Sequence, residues 1–131
     1  MIVLDTHAWV WFISNPELLS ERAKRHVDAA VEENAIMISS ISVWEVALLI
    51  AKKRLILTLE LNDWIAKSEM LPFFKFIPVD NSVAIKSVNL PQSLHSDPAD
   101  CIIIATAISL GVPIVTKDEK ILNYSQVQTI W

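Results

Sequence analysis

Short apolar runs alternate along this 131-residue chain with longer stretches in which apolar side chains recur at helical spacing. Short continuous apolar runs that end at polar or turn residues are typical of buried strands. The segments predicted to be strands are residues 2–4, 35–38, 74–79, 112–115 and 127–130. The segments predicted to be helical are residues 9–13, 20–33, 43–53, 63–70, 82–88 and 98–110, with a helical turn at 118–122 and a loop at 91–96.

Strands that alternate with helices predict a three-layer α/β/α sandwich with a mostly parallel central sheet of about five strands. We expect one domain over residues 1–131, because the length suits a single core. In such sheets, ligands bind outside the carboxyl ends of the strands, at the point where the strand order reverses. This rule directs the search for chemistry to polar residues that follow strands or begin helices.

Four carboxylates are predicted to meet at this edge of the sheet: Asp5, Glu45, Asp100 and Asp118. Asp5 ends the first predicted strand, and Asp118 follows the fourth. Glu45 and Asp100 are expected in the first turns of helices, which lie at the same edge as the strand ends. Acids in apolar surroundings are costly unless paired or metal-bound, and several acids together stay ionised only with a cation between them.

Composition narrows the chemistry of this edge. The single glycine, Gly111, excludes glycine-rich phosphate-binding loops, and the single cysteine, Cys101, excludes cysteine-based zinc sites. Oxygen ligands alone favour Mg²⁺ or Mn²⁺. Such an ion lowers the pKa of an attacking water, which suits phosphodiester hydrolysis. A formal net charge of −4 argues against simple binding of nucleic-acid phosphates, although bound cations reverse the local charge.

Each acid also has a purely structural interpretation. Ser42 and Glu45 match a capping box, and the sequence Asp-Pro-Ala-Asp at residues 97–100 resembles a helix start with an aspartate N-cap. Asp118 could cap its own short helix. Asp5 could be a lone turn residue, which is the weakest of these alternatives. The sequence leaves both interpretations open for each acid taken alone.

Nothing in the sequence predicts a membrane protein. The longest uncharged run, residues 101–116, contains Gly111 and Pro113 and is too short for a spanning helix. The first residues include no basic segment followed by a long apolar run, so no signal peptide is predicted. We therefore expect a cytoplasmic protein.

Four segments together resemble a known family. They are residues 2–7 (Ile-Val-Leu-Asp-Thr-His) with Trp11, residues 42–46 (Ser-Val-Trp-Glu-Val), residues 95–100 (His-Ser-Asp-Pro-Ala-Asp) with residues 103–107 (Ile-Ile-Ala-Thr-Ala), and residues 112–118 (Val-Pro-Ile-Val-Thr-Lys-Asp). Each segment alone is weak evidence, but all four in this order are specific. The chain resembles a PIN-domain protein of the VapC toxin type, from bacterial toxin–antitoxin modules.

The resemblance implies a metal-dependent endoribonuclease that cuts structured RNA, often tRNA or ribosomal RNA. It implies Mg²⁺ or Mn²⁺, a homodimer, and a VapB-type antitoxin whose C-terminal segment lies in a groove near the active site. The acids that it implies as metal ligands and catalytic groups are Asp5, Glu45, Asp100 and Asp118.

The resemblance also implies supporting residues. Thr116 matches a hydroxyl that helps to hold the site, and Asp97 matches an extra aspartate of a subgroup with Asp-Pro-x-Asp. Thr6 and Lys117 are further candidates for support or for substrate contact. One departure matters: many members of this subgroup carry arginine at the position of Cys101, so a cation beside the site is lost.

Two alternatives follow. The first is a binding module of the same fold that has lost activity and acts through a protein partner; the residue at position 101 favours it, and the four retained acids oppose it. The second is a flavodoxin-like signalling receiver in which Asp80 would end a strand and Lys117 would be the late lysine. Asp5 has no adjacent acid, which argues against the receiver.

Five other residues are expected to be structural. His7 is expected to be a packed or loop residue, and Cys101 to be buried and inert. Trp9 and Trp11 could stack on RNA bases, as could Trp44, but their apolar neighbours favour packing in a core or an interface.

Overall fold

The computed structural model describes residues 1–91 and 97–131. Most of the loop predicted at 91–96, including His95, therefore lies outside the described residues. The strands are β1 (Ile2–Leu4), β2 (Ile36–Ser39), β3 (Phe74–Ile77), β4 (Ile114–Val115) and β5 (Thr129–Ile130). The helices are α1 (Thr6–Ser14), α2 (Glu21–Glu32), α3 (Ser40–Ala51), α4 (Leu61–Met70), α5 (Asn81–Val88), α6 (Pro98–Leu110) and α7 (Glu119–Leu122), with a 3₁₀ turn at Pro16–Leu18.

The five strands form one parallel sheet in the order β3-β2-β1-β4-β5. Leu4 of β1 pairs with Ile38 of β2 on one side and with Val115 of β4 on the other. The chain builds outward from β1 through β2 to β3, and then returns to the opposite side of β1 as β4. The strand order therefore reverses at the boundary between β1 and β4.

Two apolar cores cover the two faces of the sheet. Leu4 and Ile38 face the first core together with Trp9 of α1, and helices α2 and α4 complete that side. Val3, next to Leu4 in β1, faces the second core, where it packs with Ile103 of α6. This alternation along β1 places helices on both faces, which confirms the predicted three-layer α/β/α sandwich.

Helix starts near the sheet edge differ from the prediction. Helix α1 begins at Thr6 instead of residue 9, because Asp5 accepts a hydrogen bond from the backbone N–H of Ala8 at 2.8 Å and acts as N-cap. Helix α3 begins at Ser40 with Ser39 as its N-cap. The capping-box interpretation of Ser42 was therefore wrong, and Glu45 lies in the second turn of α3, not the first.

Helix α6 begins and ends as predicted. Asp97 accepts hydrogen bonds from the backbone N–H groups of Ala99 and Asp100, and Pro98 takes the first helical position. Gly111 ends the helix at φ +68°, a left-handed conformation that glycine adopts without strain.

Among the described residues, no helix is long and apolar enough to cross a membrane.

Candidate active site

A cleft opens at the carboxyl ends of β1 and β4, where the strand order reverses. The backbone N–H of Asp5 donates to the carbonyl of Val115 at 3.1 Å, which joins the ends of the two strands. The cleft has a volume of about 420 Å³ and lies where the fold class predicts a ligand site. Its lining residues are Asp5, Thr6, His7, Trp11, Glu45, Asp97, Asp100, Lys117 and Asp118.

The structure thus brings all four sequence-predicted acids to one cleft, together with three of the four supporting candidates. The fourth, Thr116, is fully buried beneath it. A larger cavity, of about 550 Å³, opens at the opposite edge of the sheet near Arg22 and His26. The lining of that cavity includes one carboxylate, Glu33, whereas five line the acidic cleft, so the acidic cleft is the better candidate for the chemistry.

Asp5 is almost completely buried and is held through both carboxylate oxygens. Oδ1 accepts from the backbone N–H of Ala8, and Oδ2 accepts from the hydroxyl of Thr116. The Thr116 oxygen in turn accepts from the backbone N–H of Asp118 at 3.0 Å. Thr116 therefore fixes the position of Asp5 relative to the start of α7.

Glu45 is held by a second hydroxyl from another helix. Thr6, the first residue of α1, donates to Oε1 of Glu45 at 2.5 Å. The hydroxyls of Thr6 and Ser42 are also hydrogen-bonded, at 2.9 Å. A hydroxyl has only one proton to donate. Because Thr6 donates its proton to the carboxylate of Glu45, Ser42 is the donor in the hydrogen bond between the two hydroxyls.

Ser42 is a site residue that sequence reasoning missed, because we interpreted it as a helix cap. It is fully buried, and its hydroxyl has a hydrogen-bond partner only because α1 passes beside α3. One signal could have identified it. Residues three apart share a helix face, so Ser42 lies on the same side of α3 as Glu45.

Two other acids, Asp97 and Asp118, line the cleft and also cap helices. Asp97 caps α6, and Asp118 caps α7 by accepting from the backbone N–H groups of Lys120 and Ile121 at 2.9 and 3.2 Å. For Asp118, both bonds go to the same oxygen, Oδ1. The prediction that these residues are N-caps is confirmed, and capping is compatible with a second role in binding a metal ion.

Burial, and after it the charge of neighbouring carboxylates, raises the pKa of three acids in the cleft: Asp5, Glu45 and Asp100. Burial, followed by the charges of Asp97 and Asp118, raises the pKa of Asp100 to about 7. Burial is also the main cause that raises the pKa of Asp5 and of Glu45, and the hydroxyl hydrogen bonds from the two threonines oppose it. A cation in the cleft would relieve this repulsion and keep the acids ionised.

The donor set fits a hard divalent cation. The acids offer only oxygen, and Mg²⁺ is usually bound through one or two carboxylates with several waters in the remaining positions. Within residues 1–91 and 97–131, no three acidic, histidine or cysteine side chains are arranged so that together they could hold a metal ion. Oxygen donors alone are typical of Mg²⁺ and Mn²⁺ sites, whereas zinc sites usually include histidine or cysteine.

The tryptophans have three different environments. Trp9 is fully buried in the first core, which confirms the packing prediction for that residue. Trp44 is 55% exposed on α3 and is not a core residue. Trp11 is half-buried: it packs against the first core and also lines the cleft.

His7 and Cys101 differ in part from expectation. His7 belongs to α1 and not to a loop; its side chain is exposed, and its ring lies 5.8 Å from that of Trp11. Cys101 is only partly buried. Burial, and then the charges of Asp100 and Asp97, raises the pKa of its thiol, so it is a poor nucleophile, as expected.

The fold and the cleft define a class of protein: a parallel α/β/α sandwich with acidic side chains gathered where the strand order reverses. Within that class, the family described as "PIN domain" matches residues 2–127. The chain therefore belongs to the PIN-domain family, which confirms the resemblance seen in the sequence. The receiver-like alternative is wrong.

Known relatives match over nearly the whole chain. A Mycobacterium tuberculosis protein named ribonuclease VapC22 is 31% identical over 132 residues, which cover 99% of this chain and 98% of that protein. FitAcB from Neisseria gonorrhoeae is a solved structure with a TM-score of 0.70 and 25% identity, over 98% of this chain and 96% of that one. VapBC2 from Rickettsia felis, solved with a DNA fragment from its promoter, has a TM-score of 0.71 and 18% identity, over 98% and 97%.

Proposed function

We propose that this protein is a metal-dependent endoribonuclease that hydrolyses phosphodiester bonds of structured RNA at the acidic cleft. The observation that carries the proposal is the convergence of carboxylates from separate elements at the point where the strand order reverses. Membership of the PIN-domain family and the relative named ribonuclease VapC22 support it.

The residues that would hold the ion are Asp5, Glu45, Asp100 and Asp118. When bound, Mg²⁺ or Mn²⁺ would supply an activated water and neutralise charge at the scissile phosphate. The hydroxyl of Thr116 orients Asp5, and the hydroxyl of Thr6 orients Glu45. The exposed Lys117 lies in the cleft wall, where its ammonium can bind a phosphate of the RNA backbone.

The biological setting is also part of the proposal. Residues 1–131 would act as one PIN-like domain in the cytoplasm, as the toxin of a toxin–antitoxin pair, with tRNA or ribosomal RNA as the substrate class. A VapB-type antitoxin would be the protein partner, and the active form would be a homodimer. Support comes from the structural likeness to FitAcB and VapBC2 and from the relative named VapC22.

The test is RNA cleavage under defined metal conditions. Purified protein is incubated with total RNA in Mg²⁺ or Mn²⁺, beside Asp5→Asn and beside Asp28→Asn, a control at an exposed position on α2. We expect cleavage by the unaltered protein and by Asp28→Asn, and none by Asp5→Asn or in EDTA. Cleavage that survives both EDTA and Asp5→Asn would contradict the carboxylate–metal mechanism.

The catalytically inactive binding module is the second candidate. One feature of the sequence favours it: Cys101 occupies the position where the family resemblance leads us to expect arginine, so a cation beside the site is lost. The retained acids oppose it. Absence of cleavage with several RNA classes and both metals, in a protein that still binds an antitoxin, would select this candidate.

A further inference from the structure

Part of the acidic cleft is lined by side chains that contain no oxygen and so cannot serve as oxygen ligands of a metal ion. Trp11, His7 and Lys117 line the same cavity as the acids. Trp11 comes from the second turn of α1, about one and a half turns after Thr6, which contacts Glu45. An aromatic surface therefore lies in the same cavity as the proposed reaction centre.

Trp11 is anchored, but it is not enclosed. It packs against the first core and contacts the ring of Trp131 at a centroid distance of 5.9 Å. The tilted ring of His7 lies 5.8 Å away on the exposed surface. A rigid aromatic ring that is held from behind and open toward a cleft is a stacking platform, because little conformational entropy is lost when a flat ligand covers it.

The ammonium group of Lys117 lies 6.0 Å from the centre of the Trp11 ring. This distance is at the outer limit of a cation–π contact, so the interaction is weak and easily exchanged. The side chain of Lys117 is exposed, and a phosphate attracts an ammonium group more strongly than an indole face does. A nucleotide that enters the cleft can therefore bind both groups: its base stacks on the indole of Trp11, and its phosphate binds the ammonium group of Lys117.

We propose that Trp11 and Lys117 form a nucleotide subsite in which an unpaired RNA base stacks on the indole and a neighbouring phosphate binds the ammonium group. This inference rests on the proposed ribonuclease function and narrows its substrate. Bases in an A-form duplex are stacked on each other and cannot cover an aromatic side chain, whereas bases in loops can be turned outward. The preferred substrate is thus an unpaired segment, cut next to the stacked nucleotide.

The test measures RNA binding in EDTA, so that cleavage does not interfere. Fluorescence anisotropy compares a short single-stranded RNA with the same sequence paired to its complement. Trp11→Leu should weaken binding of the single strand by about tenfold or more and leave duplex binding within about twofold, while Trp11→Phe should retain most of the affinity. Trp44→Leu is the matched control, because Trp44 is exposed but does not line the cleft.

Two further outcomes decide the proposal. Equal loss for both RNAs, or no loss for either in a Trp11→Leu variant with an unchanged melting temperature, overturns it. If Trp11→Leu does not fold, Lys117→Met decides, because that side chain is exposed: the salt dependence of single-strand binding should correspond to about one phosphate contact fewer. An unchanged slope overturns the proposal.

Failure of the subsite can be told apart from failure of the ribonuclease function. Metal-dependent cleavage combined with unchanged binding by both variants removes only the subsite. Selective loss of single-strand binding in Trp11→Leu, with no cleavage by the unaltered protein in any metal, removes only the hydrolytic function.

Discussion

The hydroxyl of Thr6 donates a hydrogen bond to Oε1 of Glu45 at 2.5 Å, which joins the first turn of α1 to the second turn of α3. Thr6 directly follows Asp5, so one short segment supplies an acid of the cleft and the support for a second acid. The buried hydroxyl of Ser42 completes the arrangement from below. Two carboxylates from distant parts of the sequence are thereby held in a fixed relation.

Removal of the Thr6 hydroxyl should impair the site without removing any acid. Thr6→Val keeps the shape of the side chain but leaves Glu45 without this donor. Groups that orient metal ligands typically change metal affinity or activity by about 10- to 100-fold, and we expect a loss of RNA cleavage and of Mn²⁺ affinity in this range. Thr6→Ser should restore most of both, because it keeps the donor.

The matched control for this substitution is Thr106→Val. Thr106 is also buried, but its hydroxyl donates to the carbonyl of Ile102 within α6 and does not reach the cleft. Its substitution should lower stability without a specific effect on Mn²⁺ affinity. Equal effects of Thr6→Val and Thr106→Val on Mn²⁺ affinity would show that Thr6 has only a packing role.

The pKa of Asp100 predicts a pH-dependent stability for the metal-free protein. The folded protein raises this pKa to about 7, from an ordinary value of 3.8. The folded state thus holds a proton that the unfolded chain has released, so this contribution to stability is complete below about pH 4 and is lost as the pH rises through about 7. Asp100→Asn cannot ionise and should lack this loss.

Melting temperatures in EDTA across pH 4 to 8 check this prediction. At pH 8, Asp100→Asn should melt higher than the unaltered protein by on the order of a few degrees, and the difference should shrink toward pH 4. Added Mg²⁺ should then stabilise the unaltered protein more than the variant. A variant that melts lower than the unaltered protein at pH 8 would contradict the account of charge repulsion in the cleft.

Asp97 can be assigned to a capping or a metal-binding role by two substitutions. Asp97→Ala removes two hydrogen bonds at the start of α6 and should cost about 0.5–2 kcal/mol of stability. Asp97→Ser restores a cap without a carboxylate. If capping is the main role, the serine variant recovers both stability and RNA cleavage. Recovery of stability alone, measured by denaturant unfolding beside a cleavage assay, would assign the carboxylate a direct part in the site.

The positions of the acids could be predicted wherever the backbone topology alone decides them. Asp5 and Asp118 follow the strands on the two sides of the reversal point, so any parallel sheet of this order brings them together. Asp97 was predictable as a cap because Pro98 marks the first position of a helix. These conclusions need only the strand order and local helix chemistry.

The start of α3 could not be predicted, because several serines in residues 39–42 could each serve as N-cap. The hydroxyls of Thr6 and Ser42, which are 36 positions apart in the sequence, are hydrogen-bonded in the interior. The Ser42 hydroxyl is therefore not the N-cap of α3. Local sequence cannot encode such a contact. The same applies to the orientation of α1, whose apolar residues do not mark one face: Trp9 enters the core and Trp11 lines the cleft.

The central claim is that the acids of the cleft form one site for a divalent cation. Calorimetric titration with Mn²⁺ at pH 8 tests it most directly, on the unaltered protein, on Asp5→Asn and on Asp28→Asn. The account predicts Mn²⁺ binding by the unaltered protein and by Asp28→Asn with equal affinity, and a loss of about tenfold or more in Asp5→Asn. Equal affinity in all three proteins, or no binding by the unaltered protein, would contradict it.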